Sequence, residues 1–313
     1  MVKKKFDFEL AYYKYRKIRR TEEKIIEIYD TDKIKSPVHL SIGQESIAVG
    51  CSLAASKDDV IFSNYRGHAH FIAHDGNYKA FWCELFGKSG GLSSGKAGSM
   101  HLGDLNANFM FTSAIVASSV SEAVGYALAI KMKNYNKNVI CYHGDGAMDQ
   151  GVYWESINFA TLKKLPILFI CENNKYAIYS HQKDRMTNEN SIQRVKSFGV
   201  KARKVKNQTL SIYTEVKNAL NKIKKRNEVW YLEIPTTRIK DHVGIENDSY
   251  LKYRNPKIID EAIKKDDLKN LRKKVKNPNL VDIRIEQEIN QAIDFAENDK
   301  FPNKKDLFKN VLA

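Results

Sequence analysis

Apolar residues along the chain recur with two different spacings. Between positions 8 and 29 they fall at Ala11, Tyr15, Ile18, Ile25 and Ile28, which lie on one face of a helix. Ser36-Pro37 ends that pattern. After His39-Leu40-Ser41-Ile42-Gly43-Gln44-Glu45 an Ala-rich helical stretch runs to about Ala55. Short apolar runs follow at Val60-Ile61-Phe62-Ser63, Val139-Ile140-Cys141-Tyr142 and residues 167–171, and further strands are expected over 200–205 and 229–234. Runs of this length read as buried strands. Helix-length segments lie between them. Residues 113–131 pass from a loop into a helix rich in small side chains (Ala123, Gly125, Ala127, Ala129), and residues 210–225 form another helix. Strand and helix in alternation predict an α/β fold with a mostly parallel central sheet. Past Asn255-Pro256 the pattern is helical and highly charged. Residues 87–103 follow neither period. This Gly/Ser-rich stretch is too long for an ordinary connection and is therefore a candidate functional loop.

Composition narrows the class. A chain of 313 residues, 42% of them hydrophobic, can bury a large core. No apolar run approaches the ~20 residues of a membrane helix. The start, Met1-Val2-Lys3-Lys4-Lys5, carries no apolar signal region. A cytoplasmic protein with no membrane contact is expected. The four cysteines, Cys51, Cys83, Cys141 and Cys171, show no metal-like spacing, and the last two read as small buried residues within strands. Net charge is +15, from 52 Lys and Arg against 37 Asp and Glu. The basic residues are spread along the chain with no nucleic-acid motif, so no nucleic-acid partner is expected. A docking surface for an acidic partner is the more natural use of the charge.

Candidate chemistry concentrates where two strands end. The run 139–142 leads into Gly144-Asp145-Gly146, and 26 residues later the run 167–171 leads into Asn173-Asn174. Two such strands joined by a helix-length segment form a βαβ unit. Their C-terminal ends share one sheet edge, where open α/β folds bind ligands. A carboxylate, an amide and backbone oxygens brought together there suit Mg²⁺ shared with substrate phosphates. The glycines let the backbone approach a bulky anion, and the next helix points its N-terminus at it.

This spacing resembles the thiamine diphosphate motif. The flanks, Gly144-Asp145-Gly146-Ala147 and Leu165-Pro166-Ile167-Leu168-Phe169-Ile170-Cys171-Glu172-Asn173-Asn174-Lys175-Tyr176-Ala177, resemble the alpha subunit of the thiamine diphosphate-dependent first component of 2-oxo acid dehydrogenase complexes. Pyruvate, branched-chain 2-oxo acid and acetoin dehydrogenases are the best-known members of that family, and the resemblance runs from about the first helix to Phe308. It implies a three-layer thiamine diphosphate-binding domain over residues 1–256, including the N-terminal helix, with a helical extension over 257–313 packed on it. It implies Mg²⁺ ligation by the side chains of Asp145 and Asn174 and the backbone carbonyl of Tyr176. It places Gly144 in the cofactor-binding turn, with the Gly146 and Ala147 N–H groups against the diphosphate. Tyr65-Arg66-Gly67-His68 resembles the family's Tyr-Arg-x-His segment, in which Arg66 clamps the diphosphate, Tyr65 adds a hydroxyl and His68 lies near the mouth. Ile115 and Val116 match the segment that holds the aminopyrimidine, and Ile178 the apolar residue that props the bent cofactor. His39 and His242 match the family's catalytic histidines. His242 sits beside the diphosphate and so also binds cofactor, while His39 faces substrate or acyl acceptor; both suit proton transfer. His70 and His74 are one helical turn apart, a zinc-like spacing, but no second ligand cluster follows.

The chain departs from the family at three points. Asp149 stands where many relatives carry Asn and adds negative charge near the metal. Ala114-Ile115-Val116-Ala117 replaces Gly-Ile-Val-Gly. Val243 follows His242 where kinase-regulated relatives carry Ser. The length leaves no room for a second α/β domain beyond the one assigned. The resemblance therefore implies a separate beta subunit, which supplies the pyrimidine-binding domain and its activating Glu within an α2β2 heterotetramer. The function it implies is decarboxylation of a 2-oxo acid with transfer of the acyl group to a lipoyl acceptor, on an acyltransferase core. An acetoin-cleaving or transketolase-like enzyme of a biosynthetic pathway is the first alternative, and a non-catalytic basic binding module the second.

Overall fold

A computed structural model describes residues 6–309. Asp7 starts the first helix, α1 (Phe8–Ile28), its carboxylate accepting from the Leu10 N–H at 3.0 Å. There follow α2 (Glu45–Ala54), β1 (Val60–Asn64), α3 (His68–Ala73), α4 (Tyr78–Leu85), β2 (Phe109–Ser113) and α5 (Ser118–Met132). The βαβ unit is β3 (Val139–Gly144), α6 (Gly151–Leu162) and β4 (Ile167–Asn173), with a short 3-10 turn at Asp145–Asp149. A two-stranded hairpin, β5 (Tyr176–Ala177) and β6 (Ser180–His181), leads into α7 (Gln182–Arg185) and α8 (Ser191–Lys196). The remainder is β7 (Lys201–Lys204), α9 (Thr209–Arg226), β8 (Trp230–Pro235), α10 (Pro256–Lys264), α11 (Asp267–Arg272) and α12 (Pro278–Asn298). The five expected strands form within a residue or two of their expected bounds. The start of the segment expected over 113–131 needs correction: residues 109–113 are strand β2, and α3 and α4 were not foreseen.

Six strands form one parallel sheet in the order β2-β1-β3-β4-β8-β7. Side-chain alternation assigns each strand residue to one of two helical layers. Ile140, Tyr142, Leu168 and Ile170 face the core built with α2, α9, α4 and α12. Val139, Cys141, Phe169 and Cys171 face the core built with α5 and α6. The fold is therefore three-layered, as the resemblance implies. From β1 the chain moves one way to β2, then returns past β1 to β3. The direction of winding thus reverses between β1 and β3, and at such a point the loops at the strand C-termini separate and leave a crevice.

The C-terminal helices close the molecule. Ile285, Ile289, Ala292, Ile293 and Ala296 of α12 are buried in the same core as Trp82 and Phe86 of the α4 region. The Gly/Ser-rich stretch 87–103 is irregular but held by side chains outside it. The buried Glu84 carboxylate accepts backbone N–H bonds from Ser93 (2.8 Å), Gly95 (3.1 Å), Ala97 (2.8 Å) and Gly98 (2.9 Å).

Candidate active site

A cavity of about 210 Å³ opens at the crevice between β1 and β3. Its wall contains Tyr65, Arg66, Ile115, Val116, Gly144, Asp145, Gly146, Ala147, Asn174, Tyr176, Ile178 and His242, every cofactor-binding position expected from sequence. His39 stands behind this wall, its ring centroid 4.7 Å from that of Tyr65 and 5.1 Å from that of His242.

The two halves of the motif meet. β3 and β4 pair with Gly144 opposite Glu172, so Asp145 and the Asn pair leave adjacent strand ends. A Cβ added at Gly146 would lie 3.0 Å from that of Ala177, tighter than most real contacts, so glycine lets the Asp145 turn close on the hairpin. Asn174 accepts the Tyr176 N–H through Oδ1 at 3.1 Å and donates through Nδ2 to Gln44 Oε1 at 3.2 Å. The Asp145 carboxylate is 1% exposed. Its Oδ2 pairs with Arg185 Nη2 at 2.5 Å, while Oδ1 has no hydrogen-bond partner among the described residues. Burial pushes its carboxyl up and Arg185 opposes that shift. An orphaned buried oxygen beside an amide fits a divalent ion. With only one carboxylate in the proposed ligand set, the ion's remaining charge must be met by its ligand, which suits Mg²⁺ bound jointly with a diphosphate. Asp149, the extra acid, also pairs with Arg185, so its charge is answered within the chain.

Cations line the opposite wall. Arg66 is buried and donates from Nη1 to Leu40 O at 2.8 Å and from Nη2 to His242 O at 3.0 Å. Arg238 is buried too, donating to Ile178 O at 3.1 Å and to the Tyr253 hydroxyl at 2.6 Å. The buried Asp248 balances it and is itself gripped by Arg254 at 2.8 Å. Both guanidiniums approach His242 Nδ1 at 3.4 Å. Arginine has only donors, so Nδ1 accepts and the His242 proton resides on Nε2. Burial, then the Arg66 and Arg238 charges, depress His242 to about 3. Burial, Arg66 and His242 depress His39 to about 2. Both imidazoles are therefore neutral near pH 7.

Two walls carry backbone in the left-handed region. Ala117 has φ of +68° at the end of the 114–117 loop, which explains why glycine is the family's usual residue there. Ile178, a β-branched residue, has φ of +55°. Ile115 is 71% exposed and Ile178 52% exposed, both beside the opening.

One expectation from sequence is corrected. His68 is not at the mouth: it is fully buried, 2.7 Å from Ser99 Oγ and 3.5 Å from Glu22, and ties α3 to the glycine-rich loop. His70 contacts Ser63 Oγ at 2.8 Å and Glu172 at 3.2 Å, and His74 meets the Tyr142 hydroxyl at 2.8 Å, so both serve internal hydrogen bonds. Gln44, Glu172, Arg185 and Arg238 were not singled out from sequence. Glu172 directly precedes the Asn pair and Arg238 lies four residues before His242, which are the only signals sequence offered for them.

A family model described as "Dehydrogenase E1 component" matches residues 13–306. The chain belongs to the dehydrogenase E1 component family. Among its relatives in that family is the pyruvate dehydrogenase E1 component subunit alpha of Rickettsia bellii, 29% identical over 95% of this chain and 93% of the relative. The Rhizobium meliloti protein of the same name is 31% identical over 96% and 89%. The alpha subunit of acetoin:2,6-dichlorophenolindophenol oxidoreductase from Bacillus subtilis is 29% identical over 96% and 92%. The fold is similar to that of the solved transketolase of Campylobacter jejuni, with a TM-score of 0.61 and 18% identity. That match covers 96% of this chain and 50% of the transketolase chain. Family membership makes this chain an alpha-subunit-type, thiamine diphosphate-dependent oxidoreductase.

Proposed function

We propose that this protein is the alpha subunit of a 2-oxo acid dehydrogenase, that it binds thiamine diphosphate through Mg²⁺, and that it decarboxylates a 2-oxo acid and passes the acyl group to a lipoyl acceptor. The observation carrying this reading is the convergence of Asp145, Gly146, Asn174 and Tyr176 on one cavity at the crevice, with Asp145 Oδ1 buried and unpaired. Asp145, Asn174 and the Tyr176 carbonyl would hold the metal. The Gly146 and Ala147 N–H groups and Arg66 would face the diphosphate, and Ile115, Val116 and Ile178 would exclude water from the rings. When bound, thiamine diphosphate supplies the electron sink for loss of CO₂. Neutral His242 presents Nε2–H, a donor suited to the oxygen of a substrate carbonyl as charge grows on it. His39, neutral and adjacent, would face substrate or the acyl acceptor.

The described residues hold one six-stranded sheet and one small hairpin, with no second α/β domain to complete the site. A separate beta subunit is proposed to supply the pyrimidine-binding domain and its activating Glu in an α2β2 assembly. Residues 1–256 are proposed as the cofactor domain and 257–313 as its extension. No described helix is long and apolar enough to cross a membrane, and a cytoplasmic location is proposed. Because an acetoin enzyme's subunit aligns as well as the pyruvate ones, acetoin cleavage stands as the second reading. A panel of 2-oxo acids and acetoin, assayed with the beta subunit present, separates the two. Titration calorimetry tests the cofactor assignment: Asp145→Ala is expected to abolish Mg²⁺-dependent thiamine diphosphate binding, and unchanged affinity would remove it.

A further inference from the structure

Arg185 ends α7, just beyond the hairpin that carries Tyr176. All three of its guanidinium nitrogens are engaged. Nη2 lies 2.5 Å from Asp145 Oδ2, Nη1 pairs with Asp149, and Nε donates to Ser180 O at 3.2 Å. The side chain is only 12% exposed. A planar fork held by two carboxylates of the 145–149 turn and by the hairpin backbone is a fixed, built contact. Asp145 is the carboxylate proposed to bind the metal. A divalent ion on that group and a guanidinium 2.5 Å from it carry like charges a few ångströms apart, in a setting with little water to screen them. They cannot both be accommodated without cost.

Resting on the metal site proposed above, we propose that Arg185 is a built-in competitor for the metal carboxylate. Its guanidinium neutralises Asp145 and Asp149, yields Asp145 when a divalent ion binds, and stays tethered beside the site by Asp149. The second acid in the turn thereby gains a purpose: it keeps the displaced guanidinium next to the diphosphate pocket instead of releasing it to solvent. Linkage fixes the sign. Whatever favours the metal-free protein weakens metal binding by the same factor.

Removing the competing charge while keeping polar atoms is the direct test. Mn²⁺ binding is measured by electron paramagnetic resonance, and Mg²⁺ binding by calorimetry at saturating thiamine diphosphate, on the full chain with its beta subunit. R185Q is expected to bind metal about tenfold more tightly, equivalent to about 1.4 kcal/mol. Its melting temperature in EDTA is expected to fall, because two carboxylates lose their partner. R185K keeps the charge but not the fork, and is expected to tighten metal binding about threefold. This variant carries the test if R185Q does not fold. D145A separates the two assignments. If D145A loses metal while the Arg185 variants bind it no more tightly than the native protein, the competitor inference alone falls. If D145A still binds metal, the metal assignment falls and takes the competitor with it.

Discussion

His242 reaches the cavity uncharged because two guanidiniums and its burial all oppose a second positive charge there. Neutrality has a thermodynamic consequence. An unfolded histidine titrates near 6.5, whereas the folded His242 does so at about 3. The unfolded chain therefore binds the extra proton first. The contribution of this group to stability is complete above about pH 6.5 and is lost as pH falls through that value toward 3. H242Q, which cannot titrate, is expected to flatten the dependence of urea-unfolding free energy on pH between 6 and 4.5 by up to about 1.4 kcal/mol per pH unit. An unaltered slope would mean that the native imidazole is protonated. At this scale sequence was informative for Asp145 and Asn174, named by their spacing, and for His242, named by the family resemblance: all three line the cavity. Arg185 and Arg238 were not legible, because their roles depend on partners brought near by the fold: Asp145 is 40 positions from Arg185, and Ile178 is 60 positions from Arg238.

The loop entering α5 shows what an element gives up when a glycine is replaced. Ala117 adopts a left-handed conformation that an alanine side chain disfavours, and no side chain caps the helix that follows. A117G is expected to raise stability by about 1 kcal/mol, measured by urea unfolding. Destabilisation would show that the turn is unstrained and that Ala117 contributes by packing. Strands β1, β3, β4 and β8 were readable because parallel strands buried on both faces are largely apolar runs, whereas the edge strand β7, Lys201-Ala202-Arg203-Lys204 with only Ala202 buried, was legible from its place in the alternation. β2 was hidden by its mixed composition, with Met110 and Phe111 only half-buried and Thr112-Ser113 at its end. α3 was hidden because it is six residues long and buried on every side, so it has no polar face to set a period. The order within residues 87–103 could not be foreseen either, since it comes from side chains outside the loop, chiefly the Glu84 carboxylate, with His68, Ser36 and Asp299.

At the scale of the molecule, the cavity opens beside exposed apolar side chains, Ile115 and Ile178 among them, as expected where a beta subunit completes the site. I115D is expected to melt like the native chain, since the residue is mostly solvated, but to elute separately from the beta subunit in size-exclusion chromatography. Co-elution would place the interface elsewhere. The mostly parallel α/β sheet was legible from alternation and its three layers from the family resemblance, whereas the order of the strands was not, because β7 precedes β8 in sequence yet lies outside it in the sheet. That inversion bears on how the protein is made. A ribosome delivers residues in sequence, and a nascent chain released up to α9 holds β4 with one edge unsatisfied and β7 with nothing to pair with. The Asp145 turn would by then be synthesised, but the strand that leads to Arg238 and His242 would not. Only when β8 slots between its two neighbours does the sheet become continuous, so premature termination before that point should yield an aggregation-prone fragment instead of a smaller working protein.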